Sequence, residues 1–235
     1  MDTTSYLGPA VVAACVAGFI SLVGMIVNRS TTIKVNRDKA QFDNDLADKR
    51  FVYEKDLAER KFKFDQAQIV YKRRFELAET VLSDAYSFRD FLTYVRNGAG
   101  FSGEGETRKA IEDETDTIKR VRNTFFVPLE RLNKRADFIG AMLAREHACR
   151  SHFGEPATEA FSLFNHVLGR IRVASHTLME MAGQTDSSEE IQLRLKLKND
   201  IWSGYGQEDE LSEKIDRAVV LIESFCVPVL SEKST

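Results

Sequence analysis

The sequence predicts an all-α protein: a single N-terminal transmembrane helix, a long helical stalk with an 11-residue repeat, and a distal helical bundle. Three observations predict it. No charged residue lies between Asp2 and Arg29. From Arg37 to Glu79 the chain repeats an 11-residue unit, RDKAQFDNDLA, DKRFVYEKDLA, ERKFKFDQAQI and a fourth copy short by one residue. Beyond Tyr71, apolar residues recur three and four apart, in a chain with only 4 prolines and 29% charged residues. That spacing places them on one helical face. The expected parts are a short extracytoplasmic tail (1–6), a transmembrane helix (7–27), a charged stalk (28–70), a helical bundle (71–230) with a flexible loop at 97–106, and a tail (231–235).

Leu7 to Val27 spans about 31 Å as a helix at ~1.5 Å per residue, enough for a ~30 Å hydrocarbon core. A cleaved signal peptide fits less well, because no Lys or Arg precedes the segment and the apolar run continues 12 residues past Cys15. Arg29, Lys34, Arg37 and Lys39 follow it, with only Asp38 among them. The excess of basic residues on that side predicts a cytoplasmic C-terminal domain and an N-terminus outside. The expected location is a membrane crossed once, a bacterial inner membrane. Ala10, Ala14 and Gly18 fall four apart, a spacing that lets two helix backbones approach in the bilayer.

The repeat places an aromatic residue at the sixth position of each copy: Phe42, Tyr53, Phe64 and Phe75. Leu46 and Leu57 follow in the first two copies. Strict heptads from Phe42 would put Lys49, Asp56, Arg60 and Lys63 on the seam, so a left-handed coiled coil is disfavoured. An 11-residue period nearly completes three turns and drifts only about 20° per copy. It favours a straight or slightly right-handed bundle. Phe42, Leu46, Tyr53, Leu57 and Phe64 are the expected contacts between copies. Phe51 and Phe62 form a second thin stripe about 200° away round the helix.

No Pro or Gly occurs from Ser30 to Asn97, so the helix is expected to run to about Arg96. From Tyr71 its apolar face widens, with Phe75, Ala78, Leu82 and Ala85 joined by Val81, Phe88, Leu92 and Val95, as in a helix that packs into a bundle. Asn97 to Gly105 is glycine-rich but matches no phosphate-binding loop, and it reads as a connector. Helices are then expected over about 107–125 and 128–151, with Pro128 restarting the path. Pro156 suits the first turn of a helix reaching Ala182, and Gly183 its C-terminal turn. Ser187 or Ser188 caps the next helix, although the alternation of leucine with arginine and lysine in that segment also has the period of a strand. The last helix runs from about Glu208 to Leu230. These helices suffice for a core of their own. Trp202 and Tyr205 are expected to cap it.

The 33 basic and 36 acidic residues leave the chain near neutral, and residues 151–235 carry 8 basic against 14 acidic side chains. That balance repels anionic polymers, and nucleic acid is not an expected partner. Three cysteines form no disulfide framework and fit a reducing compartment. No cofactor is expected. His147, Cys149 and His152 are the candidate metal ligands, but their spacing does not share one helical face and no fourth ligand is evident. No nucleophile elbow, zinc-protease or kinase signature occurs.

Arg170 and His176, with five residues between them, are similar in spacing to the R-x(4–6)-H motif of the all-helical HEPN ribonucleases; Arg145 and His152 form a second such pair. The resemblance covers two residues of one helix and implies a membrane-tethered ribonuclease in which Arg170 and His176 act on the RNA phosphate and 2′-hydroxyl across a dimer. Ile171 departs from the polar residue usual after the arginine. In plan, a membrane anchor followed by a charged helix of 11-residue period resembles the peripheral stalk of rotary ATP synthases, without a motif that assigns residues. The primary expectation is a scaffold, tethering or signalling protein whose partners are the lipid bilayer through residues 7–27, further copies of itself, and an unidentified cytoplasmic protein.

Overall fold

A computed structural model describes residues 8–184, 187–206 and 208–231, with the side chains of Pro9 and Ala10 left out. The predicted tails therefore lie outside the described residues, apart from Ser231, which ends the last helix. The described residues form seven α-helices and no strand: α1 Pro9–Val95, α2 Asp116–Lys134, α3 Ala136–Ala144, α4 Glu146–Phe153, α5 Glu155–Glu180, α6 Ser188–Ile201 and α7 Glu210–Ser231. The all-α class is as the sequence predicts. The segment with strand-like alternation is helical, fixed at its start by a reciprocal capping box between Ser187 and Glu190. The chain divides into two units, residues 1–68 and 69–235, and α1 contributes to both.

In the first unit every described side chain from residue 11 onward is exposed. Local interactions alone support this part of the helix. Asp56 pairs with Arg60 at 2.8 Å and Glu59 with Lys63 at 2.8 Å, both one turn apart. Each such pair contributes only about 0.2–0.5 kcal/mol. The hydroxyls of Thr31 and Thr32 donate to the carbonyls of Val27 and Asn28.

The second unit has a true core. Ala78, Val81, Ala85, Phe88, Leu92 and Val95 of α1 are fully buried. Their spacing alternates three and four residues, so one face of the helix stays inward. α5 packs against α2, α4, α6 and α7, and Phe161, Phe164, Leu168 and Ile171 carry its buried face. Phe88 meets Phe164 edge-on at 5.0 Å, and Phe153 stacks on Phe225 at 4.8 Å. A smaller cluster of Phe125, Ala174, Leu178 and Ile201 lies under Trp202. That indole sits 5.6 Å from the Phe125 ring and 5.8 Å from Tyr205.

Two expected helices take a different course. Residues 107–115 are not helical; α2 begins after Thr115, whose hydroxyl accepts from the Ile118 N–H. Asp113 adopts φ +64° and the neighbouring Glu114 turns inward to two arginines, so tertiary ion pairing overrides local helix propensity here. Pro128 lies inside α2 rather than at its start. The lost backbone bond is tolerated because Phe125, Leu129 and Leu132 are buried beside it. The helix expected over 128–151 is broken at Arg135 and Arg145 into the end of α2, α3 and α4. Each break redirects the chain so that Ile139, Met142 and Cys149 all reach the core. Gly154, at φ +76°, supplies the backbone reversal into α5.

Candidate functional site

The apolar start of α1 and the aromatic stripe that follows it are surface features of the isolated chain. Residues from Val11 onward include one 18-residue window of mean hydropathy 2.3, none of it buried. Of the small residues predicted to pack between membrane helices, Ala14 and Gly18 are exposed and nothing lies within 4 Å of a Cβ built on Gly18; the Ala10 side chain is outside the described residues. Phe42, Tyr53 and Phe64 are each 67% exposed, and Leu46 and Leu57 are exposed beside them. Phe75, the next aromatic in the series, is half-buried against the core of the second unit.

Two buried arginines order the polar segments of that unit. Arg131, only 1% exposed, gathers the glycine-rich connector. Its guanidinium donates to the carbonyls of Tyr94 at 2.9 Å, Asn97 at 2.7 Å and Ala99 at 2.9 Å, and pairs with Glu104 at 2.6 Å. The connector is thus tied to α2 rather than free. These bonds hold the Glu104 carboxyl down at about 2, against the opposing effect of burial. Arg96 does the same for the turn between α6 and α7. It donates to the Asn199 and Asp200 carbonyls and the Ser212 hydroxyl, and pairs with Asp209 at 2.6 Å. Burial pushes the Asp209 carboxyl up, but Arg96 and Ser212 outweigh it and hold it at about 2.

The cleft nearest to a ligand site lies where the 107–115 loop meets α2 and α5. It has a volume of about 350 Å³ and is lined by Arg108, Lys109, Ile111, Arg122, Phe126, His176, Met179 and Glu180. Its wall is built around Glu114, 2% exposed, which pairs with Arg108 at 2.5 Å and Arg122 at 3.1 Å. Arg108 also donates to the Asn123 side chain and Arg122 to the Met179 carbonyl. The Arg108 hydrogen bond, acting against burial and joined by Arg122, holds the Glu114 carboxyl below its usual range. Gly105 anchors the loop: its N–H donates to buried Glu130, and a Cβ there would sit 2.2 Å from the Asn123 carbonyl oxygen. A helix drawn through residues 107–115 hides this cleft from sequence reasoning. Thr115, three residues before Ile118, is the signal that relocates the helix start.

Arg170 and His176 go separate ways. Arg170 pairs with Asp200 through both carboxylate oxygens, at 2.9 and 2.8 Å, and so braces α5 against α6. His176 lies six residues on, about 240° round the helix, exposed in the cleft beside Arg122. Arg145, of the second such pair, is engaged by Asp84 at 2.8 Å. The candidate metal ligands also diverge: His147 is exposed, His152 half-buried, and Cys149 fully buried, its thiol pushed up to about 11 by burial. Among the described residues no three His, Cys, Asp or Glu side chains are placed to hold a metal ion. Compared with known proteins, the chain matches no family model, no curated protein and no solved structure.

Proposed function

We propose that this protein is a single-pass, membrane-anchored helical scaffold that presents a cytoplasmic α-helical domain to protein partners and self-associates through α1. One observation carries the proposal: an apolar helical segment whose side chains find no cover within the chain. Burying such a surface in lipid removes it from water without requiring a partner core. The four basic residues between Arg29 and Lys39 support a cytoplasmic location for the chain beyond them. The aromatic stripe supports self-association. Its members are exposed in one copy, whereas Phe75 of the same series packs against a core. The second unit supports a binding rather than a catalytic role, because its most buried charged groups are spent on holding loops.

Alkaline extraction of membranes tests the anchor. The full chain is expected to stay with the membrane pellet, and a chain lacking residues 7–27 to be released. Release of the full chain would remove the proposal's basis.

A further inference from the structure

The cleft beside His176 has the composition of a small-ligand site. Ile111, Phe126 and Met179 give it apolar lining, and the side chains of Lys109 and His176 form no hydrogen bond or ion pair among the described residues. Arg122 uses Nε on the Met179 carbonyl and Nη1 on Glu114, which leaves Nη2 with both N–H groups to offer. The volume is at the lower end of the range for small-molecule pockets. Charge narrows the class further. Arg108, Arg122 and Lys109 face two carboxylates, Glu114 and Glu180, and these five groups balance to one positive charge. One anionic group completes that balance, and a second would leave the site negative.

We propose that this cleft binds a small organic monoanion with an apolar body, its carboxylate taken by Lys109 and Arg122 and its hydrocarbon or ring laid on Ile111, Phe126 and Met179. Charge-assisted hydrogen bonds from an arginine whose wall is already fixed by Glu114 make the recognition preorganised. Glu180, an exposed carboxylate in the lining, disfavours dianions such as phosphate monoesters. The site is independent of the membrane anchor and of self-association.

The test uses the full chain in lipid nanodiscs with 13C-methyl methionine and phenylacetate as the probe. Met179 lines the cleft and Met142 is fully buried in the core, so the two methyl resonances report site and control. Millimolar phenylacetate should move the Met179 resonance saturably and leave Met142 in place. Lys109→Ala, at an exposed position, and the neutral probe phenylacetamide should each weaken binding by about tenfold, the equivalent of one charge-assisted contact. No saturable shift of Met179 would overturn the proposal. Equal affinity for phenylacetate and phenylacetamide would overturn its anion recognition, as would unchanged affinity in Lys109→Ala.

Discussion

Arg131 and Arg96 are long, charged side chains with almost no exposure, and their partners are mostly backbone carbonyls of loops. Such groups cost desolvation energy that only complete pairing offsets. Replacing Arg131 by Met removes the guanidinium donors to Glu104 and to the carbonyls of Tyr94, Val95, Asn97 and Ala99. The expected loss is about 3–5 kcal/mol, measurable by denaturant unfolding of the folded domain. Acidity should act on the same bonds. Glu104 and Asp209 titrate at about 2 when folded, below their ordinary values of 4.5 and 3.8. Their stabilisation is therefore complete above the unfolded values and is lost as pH falls from about 4.5 towards 2. Thermal midpoints recorded across that window should fall steadily, and the fall should be shallower in Arg131→Met; parallel curves would contradict this assignment. Arg170 belongs to the same group of structural cations. Replacing Arg170 and His176 together is expected to leave RNA degradation unchanged, because Arg170 is engaged by Asp200 and lies about 240° round the helix from His176. RNA cleavage by the wild-type chain that disappears in the double variant would restore the ribonuclease reading.

At the scale of elements, α1 shows what a sequence discloses and what it withholds. Its continuity was legible because no Pro or Gly interrupts residues 30–97. Its buried face from Ala78 to Val95 was legible because a helix that packs against a core must repeat its apolar residues every three or four positions. α5 and α6 were legible for related reasons: Pro156 and Gly183 bracket one, and a capping box opens the other. The 107–115 segment was not legible. Whether Glu114 continues a helix or turns inward depends on Arg108 and Arg122, and the choice appears only once α2 and α5 are in place. The cleft was lost with it, although His176, one of its lining residues, was singled out for another reason. The 11-residue stripe makes a prediction at this scale. Replacing Phe42, Tyr53 and Phe64 together by Ser removes apolar contacts that a second copy would bury while leaving a helix already supported by its own ion pairs. The mass of the full chain in detergent, by sedimentation at tens of micromolar, should drop to a smaller species. An unchanged mass would place self-association elsewhere, and a monomeric wild type would remove it.

The whole molecule combines an apolar helical segment, a solvated charged helix and a bundle with its own core. Each has a different physical requirement: cover for bare apolar side chains, water, and a packed interior. The fold class followed from these requirements, because each leaves a distinct periodicity in the sequence. The proposed orientation rests on a separate feature, the basic residues beyond residue 27. Fusion of a reporter after Thr235 tests anchor and orientation together. A membrane-anchored cytoplasmic domain predicts a reporter that is active only as a cytoplasmic protein and is recovered with membranes. Activity on the outer side of the membrane, or recovery in the soluble fraction, would contradict it.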